Sequence, residues 1–184
     1  MSENRLFRIC LTGHRPKDVT QFIGSGNIYD MHNPYWVQVI NCLYHIIANE
    51  LRKHPEGLEL HSGLALGADT AWGAAILIAK KRFGRRIQFV ADCPLPTQAS
   101  HWASDSQHIW QILIDSADRV DYTTIGAYTP SIMEERNLQM ILPSDLCIAF
   151  WSGKQHGGTY NGVQDAKQHG VPILRVDPAQ FATK

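Results

Sequence analysis

Leu6-Phe7-Arg8-Ile9-Cys10-Leu11-Thr12-Gly13-His14-Arg15-Pro16 decides the fold of this 184-residue chain. A β-type apolar run from Leu6 to Leu11 stops at Thr12-Gly13, where the backbone gains freedom to turn. After an irregular stretch, Asn33-Pro34 pairs an N-cap residue with proline at the first helical position. The helix it opens is predicted to run to about Lys53, with Val37, Ile40, Leu43, Tyr44, Ile47 and Leu51 on its apolar face.

The alternation repeats along the chain. Strands are predicted at Leu58–His61, Ile87–Ala91, Arg119–Tyr122, Leu146–Trp151 and Pro172–Val176. Helices are predicted from Asp69 to about Lys81, near 97–117, near 130–142, and from Thr159 to about His169. Trp102, Ile109, Trp110, Leu113 and Ala117 supply the stripe of the second of these. Continuous apolar strands separated by helices mean a sheet buried on both faces. The expectation is one doubly wound α/β domain over 1–184, its sheet mainly parallel, with helices on both faces.

Composition narrows the function. Seventeen Lys and Arg balance seventeen Asp and Glu, so a nucleic-acid partner, which favours a basic surplus, is disfavoured. Cys10, Cys42, Cys93 and Cys147 show no metal-type spacing. Met1–Gly13 has no charged start followed by a long apolar stretch, and no apolar run is long enough to cross a bilayer. No signal peptide, membrane contact, metal or required cofactor is expected, and a cytoplasmic setting follows.

In doubly wound sheets, ligands bind beyond the carboxyl ends of the strands. Three loops fall there: Thr12-Gly13-His14-Arg15-Pro16, Ser62-Gly63-Leu64-Ala65-Leu66-Gly67-Ala68-Asp69, and Gly157-Gly158-Thr159-Tyr160-Asn161-Gly162. Glycines permit close approach, helix N-termini present free N–H groups, and Arg15 brings a phosphate-matching fork. The spacing is neither G-x-G-x-x-G nor a Walker A loop.

These segments resemble the YpsA-like family of the SLOG superfamily, the Rossmann-like group that also holds DprA and the Lonely Guy phosphoribohydrolases. Thr12 to Pro16 resembles the family's opening, and Ser62 to Thr70 resembles DprA's S-G-x-A-x-G-I-D segment. Met133-Glu134-Glu135-Arg136-Asn137-Leu138-Gln139-Met140 resembles the Lonely Guy M-x-E-R-K-x-x-M helix, and Gly158-Thr159 falls at its P-G-G-x-G-T loop. The resemblance implies a Rossmann-like domain binding a nucleotide or nucleotide-derived signal, and a homo-oligomer is in keeping with it. Two departures stand out. Asn161 and Gly162 replace the glutamates that follow G-T in Lonely Guy enzymes, and Leu66 replaces DprA's arginine.

The expected ligand site is Thr12, Gly13, His14, Arg15, Ser62, Gly63, Gly67, Asp69, Arg136, Gly157, Gly158, Thr159 and Asn161. Asp69 reads first as a helix cap and second as a partner for a ribose hydroxyl. Arg136, Glu134, Glu135 and Asp69 are the candidates should the site be catalytic. Cys93 is a buried thiol before it is a reactive one, and His101, Asp105 and His108 are exposed helix residues before they are metal ligands. Trp151 belongs to the core first and to base stacking second. The leading reading is a non-catalytic binder of an ADP-ribose-like ligand. The alternatives are a nucleotide N-glycosidase and a DprA-like binder of single-stranded DNA.

Overall fold

The computed structural model describes residues 5–183. Its strands are β1 (Phe7–Gly13), β2 (Leu58–Ser62), β3 (Ile87–Cys93), β4 (Arg119–Tyr122), β5 (Leu146–Phe150) and β6 (Ile173–Val176). Its longer helices are α1 (Pro34–Lys53), α2 (Ala68–Phe83), α3 (Ser104–Ser116), α4 (Ile132–Ile141) and α5 (Gly158–Gln168). The strands form one six-stranded sheet in the order β4-β3-β2-β1-β5-β6, every pairing parallel. Strand order reverses beside β1, so the carboxyl ends of β1 and β5 diverge into loops that leave a crevice.

Strand side chains alternate between faces, and both faces are covered. Ile9, Leu11, Leu60, Phe89, Ile148 and Phe150 pack beneath α1 and α2 with Trp36, Leu43, Trp72 and Ala75. On the opposite face Cys10 and Cys147, paired in register, meet Met140, Ile141 and Ala166 from α4 and α5. That second face also carries buried polar residues. The His61 ring lies 2.8 Å from Asp92 through Nδ1 and 2.8 Å from Glu59 through Nε2, and the Arg8 Nε lies 2.8 Å from Glu59. Burial lowers the His61 pKa, but the two carboxylates more than offset it and the net shift is upward.

Asn33 caps α1 as its sequence predicts, accepting a hydrogen bond from the Tyr35 N–H. Two expectations are corrected. Val37 is exposed, because α1 turns Tyr35, Trp36 and Val39 inward instead. Helix α3 starts at Ser104, not near 97. Between Pro96 and Ala103 the chain makes successive tight turns, and the Gln98 side chain donates to the Gly63 carbonyl, tying this segment across the end of β2. Trp102 therefore lies outside the helical stripe. Among the described residues, no helix is long and apolar enough to cross a membrane.

Candidate functional site

A cavity of about 340 Å³ opens at the carboxyl ends of β1 and β5. Leu11, Thr12, Gly13, Arg15 and Asp18 form one wall, Ala65 and Asp69 another, Met133, Arg136 and Asn137 of α4 a third, and Gly158 and Thr159 the last.

The α5 wall is the simplest. A helix begins with N–H groups that have no partner in the helix and a partial positive charge. Gly157 occupies the N-cap position with φ 91°, contributes no side-chain cap, and is followed by no acidic residue in the first turn. Gly157 and Gly158 are exposed, and a Cβ at either would meet nothing within 4 Å. This helix start borders the cavity and has room beside both glycines.

Arg136 is the opposing group. It reaches the cavity from α4 and is only 4% exposed. Its Nη1 donates to Asp69 Oδ2 at a long 3.4 Å, and its buried Nε has no partner among the described residues. A buried cation so weakly paired is costly unless something else satisfies it. Arg15, exposed on the rim, has no acidic partner for its guanidinium among the described residues; its backbone N–H donates to Asp18 Oδ2 at 3.3 Å and its carbonyl accepts from the Asp18 N–H at 3.0 Å. Two guanidinium groups and an uncapped helix start thus border one volume, which suits an anion.

Asp69 sits in the first turn of α2 rather than at its cap, which is Gly67 at φ 96°; the capping expectation is corrected. Its Oδ2 also accepts from the Ala65 N–H at 3.4 Å. Burial raises its pKa, partly offset by Arg136 and Arg15.

The remaining expected residues act from behind the walls. Ser62 is fully buried and donates to the Asp69 carbonyl. A Cβ on Gly63 would overlap the Arg136 guanidinium, and one on Gly67 would lie 2.8 Å from the His14 carbonyl oxygen. These glycines make room for the protein's own atoms. His14 turns away and joins two loops: its Nε2 accepts from the Ser152 N–H at 3.0 Å and lies 2.9 Å from the Ser152 hydroxyl. Burial lowers its pKa. With Nε2 accepting a backbone N–H, the ring is neutral and carries its proton on Nδ1. Asn161 is exposed and Gly162 packs on Thr12, where a Cβ would lie 2.8 Å from the hydroxyl oxygen. No larger residue fits there without movement.

Glu134 and Glu135 point to solvent, and Glu135 accepts from Ser131. The carboxylates lining the cavity are Asp18 and Asp69. Cys93 is buried, its thiol pushed up to about 12 by burial, which leaves no thiolate at neutral pH. His101 and His108 are exposed, and no group of three His, Cys, Asp or Glu is gathered for a metal among the described residues. Trp151 is half-buried between roles, its Nε1 donating to the Lys154 carbonyl and its ring lying 5.4 Å from the Arg175 guanidinium carbon. Sequence reasoning did not place Met133 and Asn137 at the site, although their spacing around Arg136 puts all three on one helical face.

No protein-family profile matches the sequence, and no curated protein does. Solved structures do. DNA processing protein A (DprA) from Streptococcus pneumoniae is similar over 94% of this chain and 50% of its own, with a TM-score of 0.60 and 15% identity. DprA from Helicobacter pylori, whose structure is described for its single-stranded DNA binding mode, is similar over 92% of this chain and 64% of its own, with a TM-score of 0.53 and 16% identity. The chain spans half to less than two-thirds of these neighbours. What it shares with DprA is the fold, a Rossmann-like α/β domain with an all-parallel six-stranded sheet.

Proposed function

We propose that the cavity binds a nucleotide or nucleotide-derived ligand, of ADP-ribose-like type, by its phosphate, and that it does so without catalysing a reaction. The observation that carries this reading is the Arg136 guanidinium, buried and short of partners, facing the uncapped start of α5 across open space. The phosphate lies between them, with Arg15 and the Thr12 and Thr159 hydroxyls around it. Binding is favoured over turnover because of the carboxylates. Glu134 and Glu135 lie outside the cavity, Gly162 leaves no room for a glutamate, and Asp69 is held beside Arg136. N-glycosidase chemistry needs a carboxylate to stabilise an oxocarbenium-like sugar or to activate water. The direct test is to denature the purified protein and identify released small molecules by mass spectrometry, with Arg136→Gln in parallel. A nucleotide-type compound should be retained by the wild type and lost, or bound about 10- to 100-fold more weakly, in the folded variant, because a charged hydrogen bond contributes about 1.5–3 kcal/mol. Equal retention by both would reject the site.

A second reading, single-stranded DNA binding, draws on the fold shared with DprA and on a rim of Trp151, Tyr160, Lys154 and Arg175 beside α5. Half-buried aromatic rings next to cations can stack bases. This reading predicts an oligonucleotide affinity that falls steeply with salt. An affinity independent of salt would remove it.

A further inference from the structure

The cavity wall carries charges of both signs. Arg15, Arg136 and the α5 start supply the positive groups, and two acids, Asp18 and Asp69, stand among them. The two acids are not equivalent. Asp18 sits on the rim, where its carboxylate accepts from the Arg15 N–H and lies 3.3 Å from Lys154 Nζ. Asp69 is buried in the wall and its known contacts converge on one oxygen: Ala65 N–H and Arg136 Nη1 both go to Oδ2. Among the described residues nothing donates to Oδ1. Oδ1 is not sealed from solvent and keeps free acceptor capacity in the cavity wall, which a hydroxyl of a ligand entering the cavity can take up.

We propose that Asp69 accepts a hydrogen bond from a hydroxyl of the ligand's sugar, so that the site selects a phosphate ester of a hydroxylated ring over phosphate alone or a chain of phosphates. The inference rests on the phosphate-binding reading above. Charge supports it. A second phosphate extended toward Asp69 would bring two anions together in a poorly solvated space, where their repulsion is strong. A neutral hydroxyl meets no such penalty. The Asp69 pKa is raised because burial outweighs the opposing pull of Arg136 and Arg15, in keeping with a carboxyl in a poorly solvated wall.

The experiment is a calorimetric titration of the wild type and Asp69→Asn with four probes. These are inorganic phosphate, pyrophosphate, ribose 5-phosphate, and tetrahydrofurfuryl phosphate, which has the same ring and phosphate but no hydroxyls. In the wild type, ribose 5-phosphate is expected to bind at least about tenfold more tightly than tetrahydrofurfuryl phosphate, as one good hydrogen bond to a charged group requires. Pyrophosphate should gain nothing over phosphate. Asp69→Asn should shrink the preference to under about threefold. The wild-type comparison stands alone if the variant misfolds, which circular dichroism would reveal. Equal binding of the two ring phosphates by the wild type would overturn the role of Asp69 while leaving the phosphate site intact, as would a folded variant that keeps the preference. Failure of all four probes to bind would overturn the phosphate site and this inference with it.

Discussion

The loop after β2 and the loop before α5 look alike in sequence, each glycine-rich and each leading into a helix, yet they solve opposite problems. In the first, every space a side chain would fill is already taken. Gly63 lies under the Arg136 guanidinium, Gly67 turns against His14, and Leu64 is held at φ 49° with its side chain fully buried. The positive end of its helix is also occupied, because Asp69 stands in the first turn of α2. In the second, Gly157 and Gly158 face open space and no acid follows. One loop is closed upon the protein and builds the wall that holds Arg136. The other is open and is where a ligand can go. Glycine content marks a close approach, and only the structure says whether the approaching atom belongs to the protein.

The largest effect that should separate the two loops is at Gly63. Gly63→Ala must push Arg136 off its seat, costing about 1–3 kcal/mol in stability, as overpacking does, and removing ligand binding as well. A denaturant titration coupled to a binding assay would show both losses; an unaffected variant would mean that the wall is not closed. Gly158 should split the same two readouts. Gly158→Ala has room and should stay within about 0.5 kcal/mol of the wild type. Gly158→Trp should keep the fold and abolish binding by filling the cavity. If Gly158→Ala destabilised the protein substantially, the loop before α5 would be closed too.

The smallest effects concern pH. His14 joins the β1 loop to the start of the α5 loop in its neutral form, and its pKa is lowered. The stability it contributes is complete above about 6.5, its ordinary value, and is lost as pH falls through the lower folded value. His61 lies on β2, and its pKa is raised. Its contribution is complete below about 6.5 and is lost as pH rises through the higher folded value. Melting temperature measured against pH should therefore lose its acid slope in His14→Gln and its alkaline slope in His61→Gln. The reverse assignment would contradict the hydrogen bonding described for the two rings.

Much of this fold is legible in the sequence because its signals are local and strong. Leu6 to Gly13 announces β1, Asn33-Pro34 announces α1, and Arg119–Tyr122 coincides with β4. The start of α3 was not legible, since Gln98 leaves helical pattern to reach Gly63, a contact distant in sequence. The His61 network was not singled out either, although Glu59 and His61 alternate with Leu58 and Leu60 and so share a face; their partners Arg8 and Asp92 lie on other strands. At the site, the chemistry of Arg15, Arg136, Gly158 and Thr159 could be read from residue type and position. The division between Gly63, which seats a side chain, and Gly158, which leaves a space, could not, because it depends on where α4 comes to rest.

The most direct test is a crystal structure of the protein with a bound nucleoside 5′-monophosphate. The account predicts the phosphate within hydrogen-bonding distance of the Gly158 and Thr159 N–H groups and of the Arg136 guanidinium. A phosphate seated on the Trp151–Arg175 rim, or an unliganded cavity at saturating nucleotide, would contradict it.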